Sequence, residues 1–251
     1  MFRCKQFSVA QDRCAMKVNT DSLILGSWID TGEAKTVLDI GTGTGILALM
    51  MAQKTNDAAD IQAIEVDENA AQQANVNVKA SKWSKRISVH HQALEVYKPK
   101  ASFDIIVSNP PYFEHNNKPT NAFASQTNAR QSARQTALLT PTSLFQFAAT
   151  NLSIEGSLYC VYPYRRMVEI EQAALAFNLV VTGCLVVKHN SESDPYLCAF
   201  RFQAHRAKSM NNENAAGSLV KEAYSTLDIR DHTGEYSSAF KALCRAFYLK
   251  F

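Results

Sequence analysis

Thr36-Val37-Leu38-Asp39-Ile40-Gly41-Thr42-Gly43-Thr44-Gly45-Ile46-Leu47-Ala48-Leu49-Met50-Met51-Ala52 carries the strongest architectural signal in this chain. Its first five residues, β-branched and apolar around one aspartate, predict a short buried strand over 36–40. Its last seven predict a helix packed against a sheet. Between them lie three of the nine glycines in 251 residues. Such crowding in a glycine-poor chain marks a place where backbone must come close to something. Strand, glycine turn and helix together open a βαβ unit.

The same alternation continues on the C-terminal side. Residues 60–66 predict a second strand, 68–80 an alanine-rich helix, 86–90 a third strand and 103–108 a fourth. Further on, 141–151 and 167–177 read as helices, and 157–162, 180–187 and 196–202 as strands. A last strand and turn are expected over 227–234, with Ser237 or Ser238 capping a helix through 248. This order predicts an α/β fold: a doubly wound, mainly parallel, seven-stranded sheet with helices on both faces. Residues 38–251 are expected to form a single globular unit, preceded by an extension over 1–37. Two polar stretches, 114–135 and 205–219, read as loops, and one as long as the first is either functional or disordered.

Composition narrows the function classes. Hydrophobic residues make up 46% and charged residues 20%, ordinary values for a folded domain. No run approaches the ~18 apolar residues of a membrane span. The start Met1-Phe2-Arg3-Cys4-Lys5 lacks the apolar core of a signal peptide, so a cytoplasmic protein is expected. The six cysteines never form C-x-x-C and read as free thiols. No metal is expected, because His90 and His91 are strand neighbours that face opposite ways with no third ligand in sight. A net charge of +3 allows nucleic acid to be met through a local patch but not coated.

Two constellations carry chemistry. Asp39-x-Gly41-x-Gly43-x-Gly45 places backbone amides against a ligand at a helix N-terminus. It lacks the lysine of a P-loop and misses the G-x-G-x-x-G spacing of dinucleotide binding. Glu65, at the end of the second strand, stands where a carboxylate accepts from ribose hydroxyls. An adenosine-containing cofactor fits both features. The second constellation, Asn109-Pro110-Pro111-Tyr112, ends the fourth strand, where open α/β sheets hold ligands. Two prolines stiffen the backbone and remove two N–H donors. The site therefore offers acceptors, the Asn109 side chain and the Pro110 carbonyl, to an exocyclic amine, and Tyr112 offers a face for a planar group. Tyr162-Pro163-Tyr164-Arg165-Arg166 reads as a turn whose arginines either contact phosphate or begin a solvated helix. Arg130 and Arg134, four apart, could clamp phosphates from one helix face.

On these residues the chain resembles class I S-adenosylmethionine-dependent methyltransferases of the amino-methylating group, with a Rossmann-like sheet. The segment Met16-Lys17-Val18-Asn19-Thr20-Asp21-Ser22-Leu23 and the terminal Phe247-Tyr248-Leu249-Lys250 are similar to the branch acting on N6 of adenine 37 in tRNA1(Val). The resemblance runs from residue 5 to the end. It implies S-adenosylmethionine as cofactor, with Gly41, Thr42 and Gly43 along its methionine part, Glu65 on its ribose and Asp39 also among the cofactor-binding residues. Gln92 and Ala93 would border its adenine, Gln92 departing from the Asp of many relatives. Lys17, Thr20 and Asp21 would close over the methionine end, although Thr20 or Asp21 could instead cap a helix over 22–29. Asn109, Pro110 and Tyr112 would be the catalytic residues, and Asn109 would also touch the cofactor. The implied substrate is a tRNA anticodon loop, and the implied enzyme is a monomer away from membranes. The same Asn-Pro-Pro-Tyr tetrad also serves methylation of a release-factor glutamine or a ribosomal guanine. A non-catalytic RNA-associated protein that keeps a cofactor pocket is the other alternative.

Overall fold

A computed structural model describes residues 1–14, 16–111, 139–205 and 224–251. Tyr112, the stretch 114–135 with Arg130 and Arg134, and residues 206–219 of the second polar stretch lie outside the described residues. Ten strands occur among those described: β1 (Phe2–Arg3), β2 (Ser8–Val9), β3 (Thr36–Ile40), β4 (Asp60–Glu65), β5 (Ile87–His91), β6 (Phe103–Ser108), β7 (Leu152–Pro163), β8 (Leu179–Lys188), β9 (Pro195–Ala204) and β10 (Tyr224–Asp228). The helices are α1 (Thr20–Trp28), α2 (Ile46–Lys54), α3 (Glu68–Lys79), α4 (Pro141–Asn151), α5 (Met167–Leu175) and α6 (Ser238–Cys244).

The main sheet has the order β10-β8-β9-β7-β6-β3-β4-β5, and only β9 runs against the others. It has eight strands where seven are expected from the sequence. The extra one is β10, which pairs in parallel with β8 at the edge. Only Leu227 and Asp228 fall in the strand and turn expected over 227–234, and a local pattern does not say which edge a strand joins. A small antiparallel pair, β1 with β2, was not expected at all. Two-residue strands leave no alternation to detect.

Side chains alternate across the sheet with period two. Val37, Ile61, Ala63, Ile105, Val107, Tyr159 and Val161 share one core with α1, α2 and α6. Leu38, Ile40, Ile64, Ile106, Leu158, Cys160 and Tyr162 share the other with α4 and α5. Cys4, Phe7 and Val9 of the N-terminal segment are buried in the first core. Lys5 Nζ donates to the carbonyls of Arg245 and Phe251 at 2.8 and 2.6 Å, stitching the first residues to the last. All six cysteines are free thiols. No helix among the described residues is long and apolar enough to cross a membrane.

The chain passes from β3 to β4 and β5 on one side, then returns to place β6 on the other. The switch point is between β3 and β6, where Ile40 is in register with Ser108. The residues after both strands, Gly41 and Asn109, therefore start from neighbouring positions at the carboxyl edge of the sheet.

Candidate active site

Asp39 lies in β3 on the face covered by α2 and is fully buried. Its Oδ2 accepts from the Thr42 hydroxyl at 2.5 Å and from the Ala48 N–H at 3.0 Å. The carboxylate thus does from a strand what an N-cap does from a loop, since α2 begins at Gly45, which has no side chain to cap it. Asp39 Oδ1 is buried without a hydrogen-bond partner. Burial pushes the carboxyl up to about 7, with the nearby Glu65 charge adding to it and the bonds from Thr42 and Ala48 opposing. In this arrangement Asp39 braces the glycine loop from below and does not face the cleft.

The loop then turns on left-handed glycines. Gly43 has φ +56°, and a Cβ there would meet nothing within 4 Å, so open space lies beside the backbone. Gly45, at φ +84°, lets α2 approach α3: a Cβ there would sit 3.4 Å from that of Ala74. Glu65 holds the loop from the side. Its Oε2 accepts from Gly43 N at 2.9 Å and its Oε1 from Asp67 N at 3.0 Å. Each oxygen keeps a further lone pair for another donor. The Gln92 N–H donates to the Glu65 carbonyl, which brings β5's end beside β4's.

Two depressions meet at Gly41. One is lined by Met16–Asn19, Ser22, Gly41–Thr44, Ile46, Leu47 and Asn109. The other is an apolar slot formed by Ile40, Ile64, Val66, Gln92, Ala93, Leu94 and Leu139. Gln92 Nε2 donates to the Val96 carbonyl, so its Oε1 is the end left to accept from an amine. The resemblance implies Gln92 and Ala93; Leu139, distant in the chain, carried no signal.

Lys17 lies on the rim of the first depression, while Thr20 opens α1 and does not line it. The helix cap is Asn19, not Thr20 or Asp21: its Oδ1 accepts from Ser22 N at 3.0 Å. Asp21 accepts from the Tyr196 hydroxyl at 3.2 Å, and His189 stacks on that ring at 4.3 Å. Burial raises the Asp21 carboxyl, opposed by the Tyr196 bond and by His189. Asn109 leaves β6 with its Nδ2 2.8 Å from Ser22 Oγ. Pro110 is buried directly after it. Ser22 is a contact that its sequence position beside the cap did not signal. His90 packs near the Tyr97 ring, and His91 Nε2 lies 3.1 Å from the Val66 carbonyl. Arg166 forks onto Glu169 at 2.7 and 3.0 Å and lies over the Tyr162 ring, an arrangement that commits its guanidinium within the fold.

The family of the methyltransferase small domain matches residues 13–190. A tRNA1(Val) (adenine(37)-N6)-methyltransferase of Trichodesmium erythraeum is 36% identical over all of this chain and 98% of its own length. One of Salmonella arizonae is 36% identical over 99% of this chain and 94% of its own. Among solved structures, a protein titled a predicted O-methyltransferase from Agrobacterium tumefaciens covers 90% of this chain at a TM-score of 0.65. At 13% identity, that likeness concerns the fold.

Proposed function

The chain belongs to the methyltransferase small domain family, and from that premise we propose that it moves the methyl group of S-adenosylmethionine to N6 of adenine 37 in the anticodon loop of tRNA1(Val). The observation that carries this reading is the register of Ile40 with Ser108, which starts the glycine loop at Gly41 and the Asn109-Pro110-Pro111 segment side by side. The full-length relatives at 36% identity support the tRNA substrate.

S-adenosylmethionine, when bound, supplies an electrophilic methyl on a sulfonium. Glu65 would receive the ribose hydroxyls, and the slot of Ile64, Val66, Gln92 and Leu139 would take the adenine. Gly41 to Thr44 would lie along the methionine part, and Lys17 would close over it. Asp39 and Thr42 hold that loop in shape. Asn109 Oδ1 and the Pro110 carbonyl would accept the two N–H bonds of the target amine, whose base must first leave its stack. Holding both protons turns the nitrogen lone pair out of conjugation and toward the methyl carbon. Tyr112 would stack on the base. The nitrogen held by Asn109 and Pro110 would then be aligned to take the methyl that the sulfonium supplies, the S–C electron pair remaining on sulfur. The methylated nitrogen is strongly acidic while cationic and loses its proton to water, so alignment rather than a strong base carries the rate.

The test is methylation of a tRNA1(Val) transcript with methyl-labelled cofactor, followed by nuclease digestion and mass spectrometry. We expect N6-methyladenosine at position 37 and none in a transcript with guanine there. Label on a release-factor glutamine or a ribosomal guanine instead would overturn the substrate. Asn109→Ala should reduce turnover about a hundredfold while cofactor affinity stays near wild type, because an acceptor at the reacting nitrogen is lost.

A further inference from the structure

An amide side chain can place either its oxygen or its nitrogen on a given side, and only one choice suits an acceptor site. In this protein a chain of hydrogen bonds settles that choice for Asn109. It begins at the helix cap. The Ser22 backbone N–H can only donate, so the Asn19 atom 3.0 Å from it is an oxygen. The same oxygen lies 3.1 Å from the Ser22 hydroxyl, which must therefore give it its single proton. Ser22 Oγ is left with lone pairs alone. The Asn109 atom 2.8 Å from it is accordingly the amide nitrogen. Asn109 Oδ1 is then the other arm of the amide, about 120° round Cγ from the nitrogen that Ser22 holds.

We propose that Ser22, polarised by Asn19, is a positioning residue that locks the amide of Asn109 with its oxygen toward the target amine. The proposal rests on the methyl-transfer reading above, since only that reading asks for an acceptor there. Ser22 is buried, so no bulk water takes over its role, and it belongs to α1, eighty-seven residues from Asn109. A fold element outside the glycine loop and the tetrad thus sets the polarity of the reacting site. Without the hydroxyl, the amide loses the acceptor that selects nitrogen for that side, and molecules with the amide reversed repel the amine protons.

A carboxylate has no wrong way round, and this separates positioning from general structural support. Ser22→Ala is compared with the unaltered protein, and again in an Asn109→Asp background. Ser22→Ala should lower kcat about three- to tenfold, the scale of one hydrogen bond, with the KM for S-adenosylmethionine and the melting temperature nearly unchanged. In the Asn109→Asp background the same change should cost less than about twofold. An unchanged kcat, or an equal loss in both backgrounds, would overturn the proposal. If the unaltered protein fails to methylate tRNA, the functional reading has failed, and side-chain amide NMR then judges Ser22 separately. The Asn109 NH2 protons should exchange faster in Ser22→Ala; equal exchange would show that Ser22 does not hold them.

Discussion

Glu65 commits one oxygen to Gly43 N and the other to Asp67 N, and so shapes the loop it is expected to share with a ribose. Glu65→Ala should weaken S-adenosylmethionine binding by about 1–3 kcal/mol, the cost of losing a charged acceptor, measured by calorimetry. Unchanged affinity would place the ribose elsewhere. Asp39 makes a different prediction, because it is buried with one oxygen unpartnered and its carboxyl is raised to about 7. An unfolded chain releases that proton near pH 4. Between pH 4 and 7 the folded protein therefore holds more protons than the unfolded one, and stability falls as pH rises through that window. The loss is up to about 1.4 kcal/mol per pH unit. Asp39→Asn keeps an acceptor for Thr42 and Ala48 and removes the titration. Thermal melts from pH 5 to 8 should show a steeper decline for the unaltered protein; parallel curves would mean that Asp39 is ionised throughout.

Helix α1 brings Ser22 to Asn109 and is pinned at both ends. Its first turn is tied to β9 through Asp21 and Tyr196, and to β6 through Ser22 and Asn109. At its far end Lys54 Nζ donates to the carbonyls of Gly26, Ser27 and Ile29, with the Ser27 bond at 2.8 Å. A cation against the last carbonyls of a helix satisfies groups with no partner within it and complements its dipole. Lys54→Met, similar in length, should lower stability by about 1–3 kcal/mol in denaturant titrations, because those carbonyls are left partly buried and unpaired. A loss below about 0.5 kcal/mol would mean that water replaces the ammonium. The apolar run Leu23-Ile24-Leu25 explains why this short helix forms at all: tertiary burial rather than propensity supports nine residues.

The two ends of the chain close one body with the sheet. Phe7 is nearly buried and meets Trp83 edge-on at 5.8 Å, while Lys5 reaches the C-terminal carbonyls. Phe7→Ala should therefore destabilise the entire protein by about 3–5 kcal/mol in a single cooperative transition. A separate early transition confined to the first residues would show instead that they are an independent appendage. The position of β10 points the same way, since it joins the sheet edge beyond β8 and leads directly to α6 on the first core.

Most of this organisation was legible in the chain because it is written locally. A β-branched run, three close glycines and an apolar run declare strand, turn and helix within seventeen residues, and Phe103–Ser108 and Pro141–Asn151 fall where composition and a helix-starting proline put them. The places of Glu65 at the end of β4 and of Asn109 just after β6 were legible because the strands themselves were. The edge that β10 joins, the inward turn of Asp39, the slot wall at Leu139 and the contact of Ser22 with Asn109 were not. Asp39 turns inward to partners near it in the chain, Thr42 and Ala48, but the other three depend on a partner distant in sequence, chosen by burial and hydrogen-bond satisfaction across the assembled fold. Ser22 is the plainest case: a serine three residues after a cap reads as ordinary helix start, and only the packing of α1 against the end of β6 makes its hydroxyl the acceptor for Asn109.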